Sequence, residues 1–270
     1  MPVSLGCVHD VLQAATRQAS VINRDQDLSG IRVGLHDEIF QGAASVLAGV
    51  DAASTYCYLL AAEHRRDADT WGVHLLDAAE RGLRPDYSIA DAGRGLRAGQ
   101  EAAWGDTPCH GDVFHIQRRC ESLANTLSRL AQGATSRRKT LLAGTSRAGQ
   151  RAPDVELATQ LALARQTEAR TSRLARDIRT LVHWLRHDVL ALALAGPDLA
   201  TRRELFDFIV AELLAREPED ARRIRPVRAA LQNQRDDLLA FAGVLDAELA
   251  GIARAHAISE PLVREACVLH

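Results

Sequence analysis

Lysine is nearly missing from this 270-residue chain: Lys139 stands alone, and arginine supplies the rest of the 33 basic residues. Against 35 acidic residues the formal net charge is −2. That balance excludes a global electrostatic attraction to nucleic acid, so any such affinity has to come from local basic faces. Arginine suits bidentate phosphate contacts, although GC-rich coding also produces an Arg-rich, Lys-poor chain. Cysteine is scarce and odd in number, with Cys7, Cys57, Cys109, Cys120 and Cys267 and no Cys-x-x-Cys pair. This argues against a disulfide framework and for a reducing compartment. Cys109, His110 and His115 lack a fourth ligand at zinc-site spacing. No run of 18 apolar residues occurs, and no basic-then-apolar leader follows Met1, so the reading is a cytoplasmic protein with no membrane partner. Gly93-Arg-Gly95 lacks the spacing of a phosphate-binding loop, and no internal repeat stands out.

What is present is an ordinary globular composition, 47% hydrophobic and 25% charged, long enough for one large domain or two small ones. Residues 2–22 carry Leu5, Val8, Leu12, Ala15 and Ala19 at three- and four-residue steps, which predicts a helix. The polar cluster at 23–31 reads as a linker. Strand-like runs follow at 32–40, 45–50 and 55–61, with a turn at Asp51-Ala-Ala-Ser54. A helix from Ala68 to Arg81 is expected, with Asp69 and Thr70 as caps and Gly82 as its stop. Then come a strand at 85–91, a helix at 96–104 and a last strand at 108–115. The order is β-β-β-α-β-α-β. Beyond it the periodicity is helical: 116–131 with a break at Gly133, a loop over 143–153, then helices at 155–194, 199–216 and 227–257, and a short last one opened by Ser259 and Pro261.

That order, with Asp-Glu-Ile-Phe at 37–40, Val-Leu-Ala-Gly-Val-Asp at 46–51, Arg-Asp-Ala-Asp-Thr-Trp at 66–71, Ile-Ala-Asp-Ala-Gly at 89–93 and Gly-Asp-Val-Phe-His at 111–115, resembles the DDE-type transposases of bacterial insertion sequences. The resemblance covers residues 1–120; its specificity lies in the order and spacing of the motifs together. It implies a ribonuclease H-like mixed sheet over residues 31–118, an N-terminal helix and linker over 1–30, and a large all-α insertion over 119–270. Ser4-Leu-Gly-Cys-Val8 resembles the end of a helix-turn-helix recognition helix, and a plain packing helix fits the same spacing.

The chemistry implied is DNA strand cleavage and transfer, with transposon ends and target DNA as partners, and further copies of the chain in a homo-oligomer. Two-metal phosphoryl transfer needs carboxylate oxygens converging on ions about 3.5–4 Å apart. Asp37 and Asp91 are the expected catalytic ligands of Mg²⁺ or Mn²⁺, because the first and fourth strands of such a sheet are adjacent. Asp51 competes for the first position but fits a turn better. Glu38 points to the opposite face of its strand. By the resemblance, Asp112 is an outer carboxylate and His115 a contact to the scissile phosphate. Arg118, Arg119, Arg137, Arg138 and Lys139 are the basic residues nearest the core and are expected along the DNA backbone. His183 and His187, one turn apart, read as packing or surface residues. In the resembled family the third acid lies on a helix after the insertion, with Asn and Arg at fixed steps. Glu212, Glu248, Glu260 and Glu265 stand in that region without those neighbours. The expectation is therefore a fragment shortened at both ends, with the third acid beyond residue 270, and inactive by itself. Two other readings stay open: a non-catalytic helical binding or assembly protein derived from a transposase, and a ribonuclease H-like nuclease, which the large helical part disfavours.

Overall fold

The computed structural model describes residues 4–24, 26–42, 44–91, 93–148 and 155–268, which fall into two compact units divided between Asp112 and Val113. In the first unit, helix α1 (Leu5–Arg24) precedes three strands, β1 (Val33–Gln41), β2 (Ala44–Asp51) and β3 (Cys57–Glu63). Helix α2 (Ala68–Glu80), strand β4 (Tyr87–Ala90), helix α3 (Arg94–Trp104) and strand β5 (Cys109–Gly111) follow. The sheet is mixed and five-stranded, in the order β3-β2-β1-β4-β5. β1, β2 and β3 form an antiparallel meander, and β4 lies parallel to both β1 and β5.

Period-two alternation divides β1 between two faces. Gly34, His36 and Glu38 face α2 and α3; Val33, Leu35, Asp37 and Ile39 face the other way. The strand residues of the core, Leu47, Leu59 and Ala90, are register partners of the first set, and they pack with Trp71, Leu75 and Ala78 of α2 and Leu96 of α3. The second face stays more open, with Ile39 52% and Leu60 67% exposed. α2 begins at Ala68 as expected, but its cap is Asp67 rather than Asp69 or Thr70: the Asp67 Oδ1 accepts from the Thr70 N–H at 3.0 Å and the Thr70 hydroxyl at 2.7 Å. It stops where Gly82 takes φ 97°, a left-handed value that favours glycine. α2 and α3 cross closely at two glycines: a Cβ on Gly99 would lie 2.6 Å from the Trp71 Cβ and 2.8 Å from the Gly72 nitrogen.

The described residues from Val113 onward contain no strand. Helix α4 (Val113–Ala148) runs 36 residues, through Gly133 without a break. An isolated helical glycine costs about 1 kcal/mol, which packing against the neighbouring helix α5 (Val155–Trp184) offsets. Most of the expected loop at 143–153 is helix up to Ala148, and the remainder lies outside the described residues. α5 gives way to one π-helical turn (Leu185–Val189), so the expected helix to residue 194 ends early. Helix α6 (Leu199–Arg216) is followed by a short 3₁₀ turn at Glu217–Glu219. The single helix expected over 227–257 is two, α7 (Ala221–Asn233) and α8 (Arg235–His256), divided at Gln234. Helix α9 (Glu260–Val268) closes the unit.

The largest core lies here, where Ile116, Leu123 and Leu127 of α4 meet Leu174, Ile178 and Leu181 of α5, with Phe206, Ile224 and Leu238 from the later helices. Arg202, 1% exposed, is caged by carbonyls: its guanidinium donates to Val189 O (2.5 Å), Ala191 O (2.9 Å) and Pro197 O (2.6 Å) and lies over the Phe241 ring. Among the described residues no helix is long and apolar enough to cross a membrane.

Candidate metal centre

The parallel ladder between β1 and β4 runs from Val33 opposite Tyr87 to His36 opposite Ala90. Asp37 and Asp91 are the next residues of the two strands' paths, one step past the last pair. The ladder between β4 and β5 ends with Ala90 opposite Gly111. The Asp112 N–H donates to the Ala90 carbonyl at 2.9 Å, which carries that pairing on. Asp37, Asp91 and Asp112 therefore fall in one rank across three parallel strands, Asp37 in the middle of β1 and the other two just past the ends of β4 and β5, with neighbouring strands about 4.8 Å apart. Alternation puts Asp37 on the more open face, and Asp91, following buried Ala90, falls with Ile89 on the same side.

Backbone donors hold two of these carboxylates. Asp37 Oδ1 accepts from the Glu38 N–H at 2.7 Å, and Asp91 Oδ1 accepts from the Gly93 N–H at 2.8 Å. Gly93 leaves room for that turn: a Cβ there would stand 2.7 Å from Asp91 Oδ1. Among the described residues no group of three or more His, Cys, Asp or Glu side chains is gathered closely enough to hold a metal ion.

The opposite face of β1 is built for rigidity. Glu38 accepts from Arg66 Nη1 (2.5 Å) and from the Trp71 indole N–H (3.2 Å), tying the end of β1 to the start of α2. His36 is buried, with Nε2 2.6 Å from the Tyr58 hydroxyl and Nδ1 2.8 Å from the Gln100 amide, which also donates to the Ser88 hydroxyl. Burial pushes the His36 imidazole down to about 3, so it is neutral at physiological pH. Burial likewise raises the Tyr58 phenol. Asp51, the competitor for the first acid, serves the β2–β3 turn: its carboxylate accepts from the Ser54 hydroxyl (2.5 Å), the Ser54 N–H (2.9 Å) and the Ala53 N–H (3.3 Å). The Ser54 hydrogen bonds hold it below the usual carboxylate range. It lies on the helix-bearing face, away from Asp37.

His115 is not at a strand end as expected. β5 is only three residues long, and His115 lies in the first turn of α4, beside Phe114. The cause is local: after Asp112 the run Val-Phe-His-Ile-Gln takes up the helical spacing that buries Ile116 and Cys120. Arg118, Arg119, Arg137, Arg138 and Lys139 are all on α4, in the second unit. Arg138 is engaged by Glu168 of α5. His183 and His187 straddle the junction of α5 and the π turn, with ring centroids 4.5 Å apart.

The inward network of His36, Tyr58, Gln100 and Ser88 has no signature in the sequence beyond the polar pair His36 and Glu38 two residues apart in β1. No family model matches the chain, and comparison with curated proteins finds no matching relative.

Proposed function

We propose that the first unit is a ribonuclease H-like core that holds a divalent cation between Asp37 and Asp91 and belongs to the phosphoryl-transfer chemistry of DDE-type transposases, acting on DNA. The single observation that carries this reading is the register of β1 against β4, which ends at His36 opposite Ala90, one residue before the two aspartates on the adjacent strands. Supporting it are the strand order with β1 beside β4 and the exposure of Asp37 beside half-buried Asp91.

The donors fit the ion in kind. Anionic oxygens on a partly solvated face suit Mg²⁺ or Mn²⁺, which keep several waters and take one or two protein carboxylates. A bound ion supplies Lewis-acid stabilisation of charge developing on phosphoryl oxygens. The chain's own residues supply position. Asp37 and Asp91 would hold the ion; the Glu38 and Gly93 N–H groups fix the orientation of their Oδ1 atoms; and the Glu38–Arg66–Trp71 contacts tie β1 to α2 and to the residues leading into it. Asp112 is the neighbouring carboxylate at the end of the rank.

The test is a Mn²⁺ titration of the purified chain followed by electron paramagnetic resonance, with DNA nicking measured in parallel. One bound ion is expected, lost in Asp37→Asn and in Asp91→Asn and retained more weakly in Asp112→Asn. Any nicking has to vanish in the first two variants. Mn²⁺ binding or nicking that survives both substitutions overturns the reading.

A further inference from the structure

We infer that the second unit carries a phosphate-binding groove between α4 and α7, independent of the metal reading above. Arg119, Ser122 and Thr126 stand at three- and four-residue steps on one stripe of α4, with buried Leu123 between them. Arg223 and Val227, four residues apart on α7, face that stripe. These six residues line a solvent-open cavity of about 300 Å³. Its chemistry is one-sided: two guanidiniums and two hydroxyls over an apolar floor of Leu123 and Val227, with no carboxylate in the lining.

Arg223 Nη1 donates to Asp220 at 2.8 Å, which orients the guanidinium while leaving its remaining N–H groups as donors. No ion pair engages Arg119 among the described residues. Thr126 Oγ1 accepts from Arg129 Nη2 at 3.4 Å, so the hydroxyl proton stays available to the groove. Arg223 is also the third residue of α7, where the positive end of the helix favours an anion. A tetrahedral oxyanion matches this set, because forked arginine donors and short hydroxyls satisfy several phosphate oxygens at once. The ligand class is a phosphate group, borne either by a small nucleotide or by a nucleic-acid backbone.

The experiment titrates the full chain at low salt with inorganic phosphate, AMP and a short fluorescein-labelled single-stranded oligonucleotide. Four proteins are compared: wild type, Arg119→Ala, Ser122→Asp, and Arg165→Ala, an exposed arginine of α5 outside the groove. Circular dichroism verifies that each folds; Ser122 is exposed, so its substitution spares the core. Wild type is expected to bind at least one probe. Binding weakens roughly tenfold in Arg119→Ala, the loss of one charge-assisted contact. It disappears in Ser122→Asp, which places a carboxylate in the groove, and is unchanged in Arg165→Ala. AMP binding assigns a nucleotide; oligonucleotide binding without AMP binding assigns a backbone. The inference is overturned if no probe binds, if Ser122→Asp binds as wild type does, or if Arg165→Ala loses as much as Arg119→Ala.

Discussion

Acid should unfold the first unit through His36 before it reaches the carboxylates. The imidazole titrates near 3 in the fold because burial opposes its charge, against an ordinary 6.5. Between those values the unfolded chain takes up a proton that the folded chain refuses. Stability therefore is full above about pH 6.5 and falls as the pH falls, by about 1.4 kcal/mol per pH unit. From pH 6.5 to 4.5 the loss is about 2–3 kcal/mol, a large share of the usual 5–15 kcal/mol for a domain. The depressed carboxylates of Asp27, Asp51, Asp67, Asp198, Glu168 and Glu217 have ordinary values of 3.8 to 4.5, so their contributions are lost lower on the scale. The assay is urea unfolding read by tryptophan fluorescence, because Trp71 and Trp104 flank the His36 ring at 6.2 and 5.6 Å. His36→Gln keeps a polar partner for Tyr58 and Gln100; it should lower stability at pH 7 and flatten the slope between pH 6.5 and 4.5. A wild-type stability that does not change over that window refutes the reasoning, and so does a slope that survives in His36→Gln.

Three further outcomes follow from the packing. Gly99→Ala should cost about 1–3 kcal/mol in urea unfolding, since its Cβ meets backbone and Trp71 at the α2–α3 crossing. Arg202→Ala strips three carbonyls of their donor and should cost about 3 kcal/mol or more, with a lowered melting temperature of the helical unit by circular dichroism. Glu38→Gln keeps the strand but weakens the tie to Arg66; it should leave the fold intact and loosen Mn²⁺ binding severalfold, and unchanged affinity would separate that tie from the site.

The element order of the first unit was legible because strands and helices there alternate between glycine, proline and acidic turns. Its faces were less so. Val33, Leu35 and Ile39 form the apolar side of β1, the side that alternation alone would bury, yet the helices cover Gly34 and His36 instead. The reason is three-dimensional: Tyr58 lies against Gly34 and Gly49, and its hydroxyl reaches His36, so small residues and one imidazole make room for an aromatic layer. Register was also beyond reach. The spacing of Asp37 and Asp91 along the chain carries no information on pairing, which β1–β4 hydrogen bonds decide. The hydrogen bond from the Asp112 N–H to the Ala90 carbonyl, which places that backbone beside the end of β4, is likewise not legible in the sequence. In the helical unit, local propensity favours a break at Gly133, and packing against α5 overrides it. The π turn and the division at Gln234 arise where Arg202 and the α6–α8 contacts shape the chain, and these contacts are distant in sequence.

The most direct measurement is anomalous X-ray diffraction from crystals of the full chain soaked in Mn²⁺. The account predicts one strong manganese peak between the carboxylates of Asp37 and Asp91, about 2.0–2.3 Å from an oxygen of each and absent from Asp91→Asn crystals. A peak elsewhere, or none beside these two residues at saturating Mn²⁺, contradicts it.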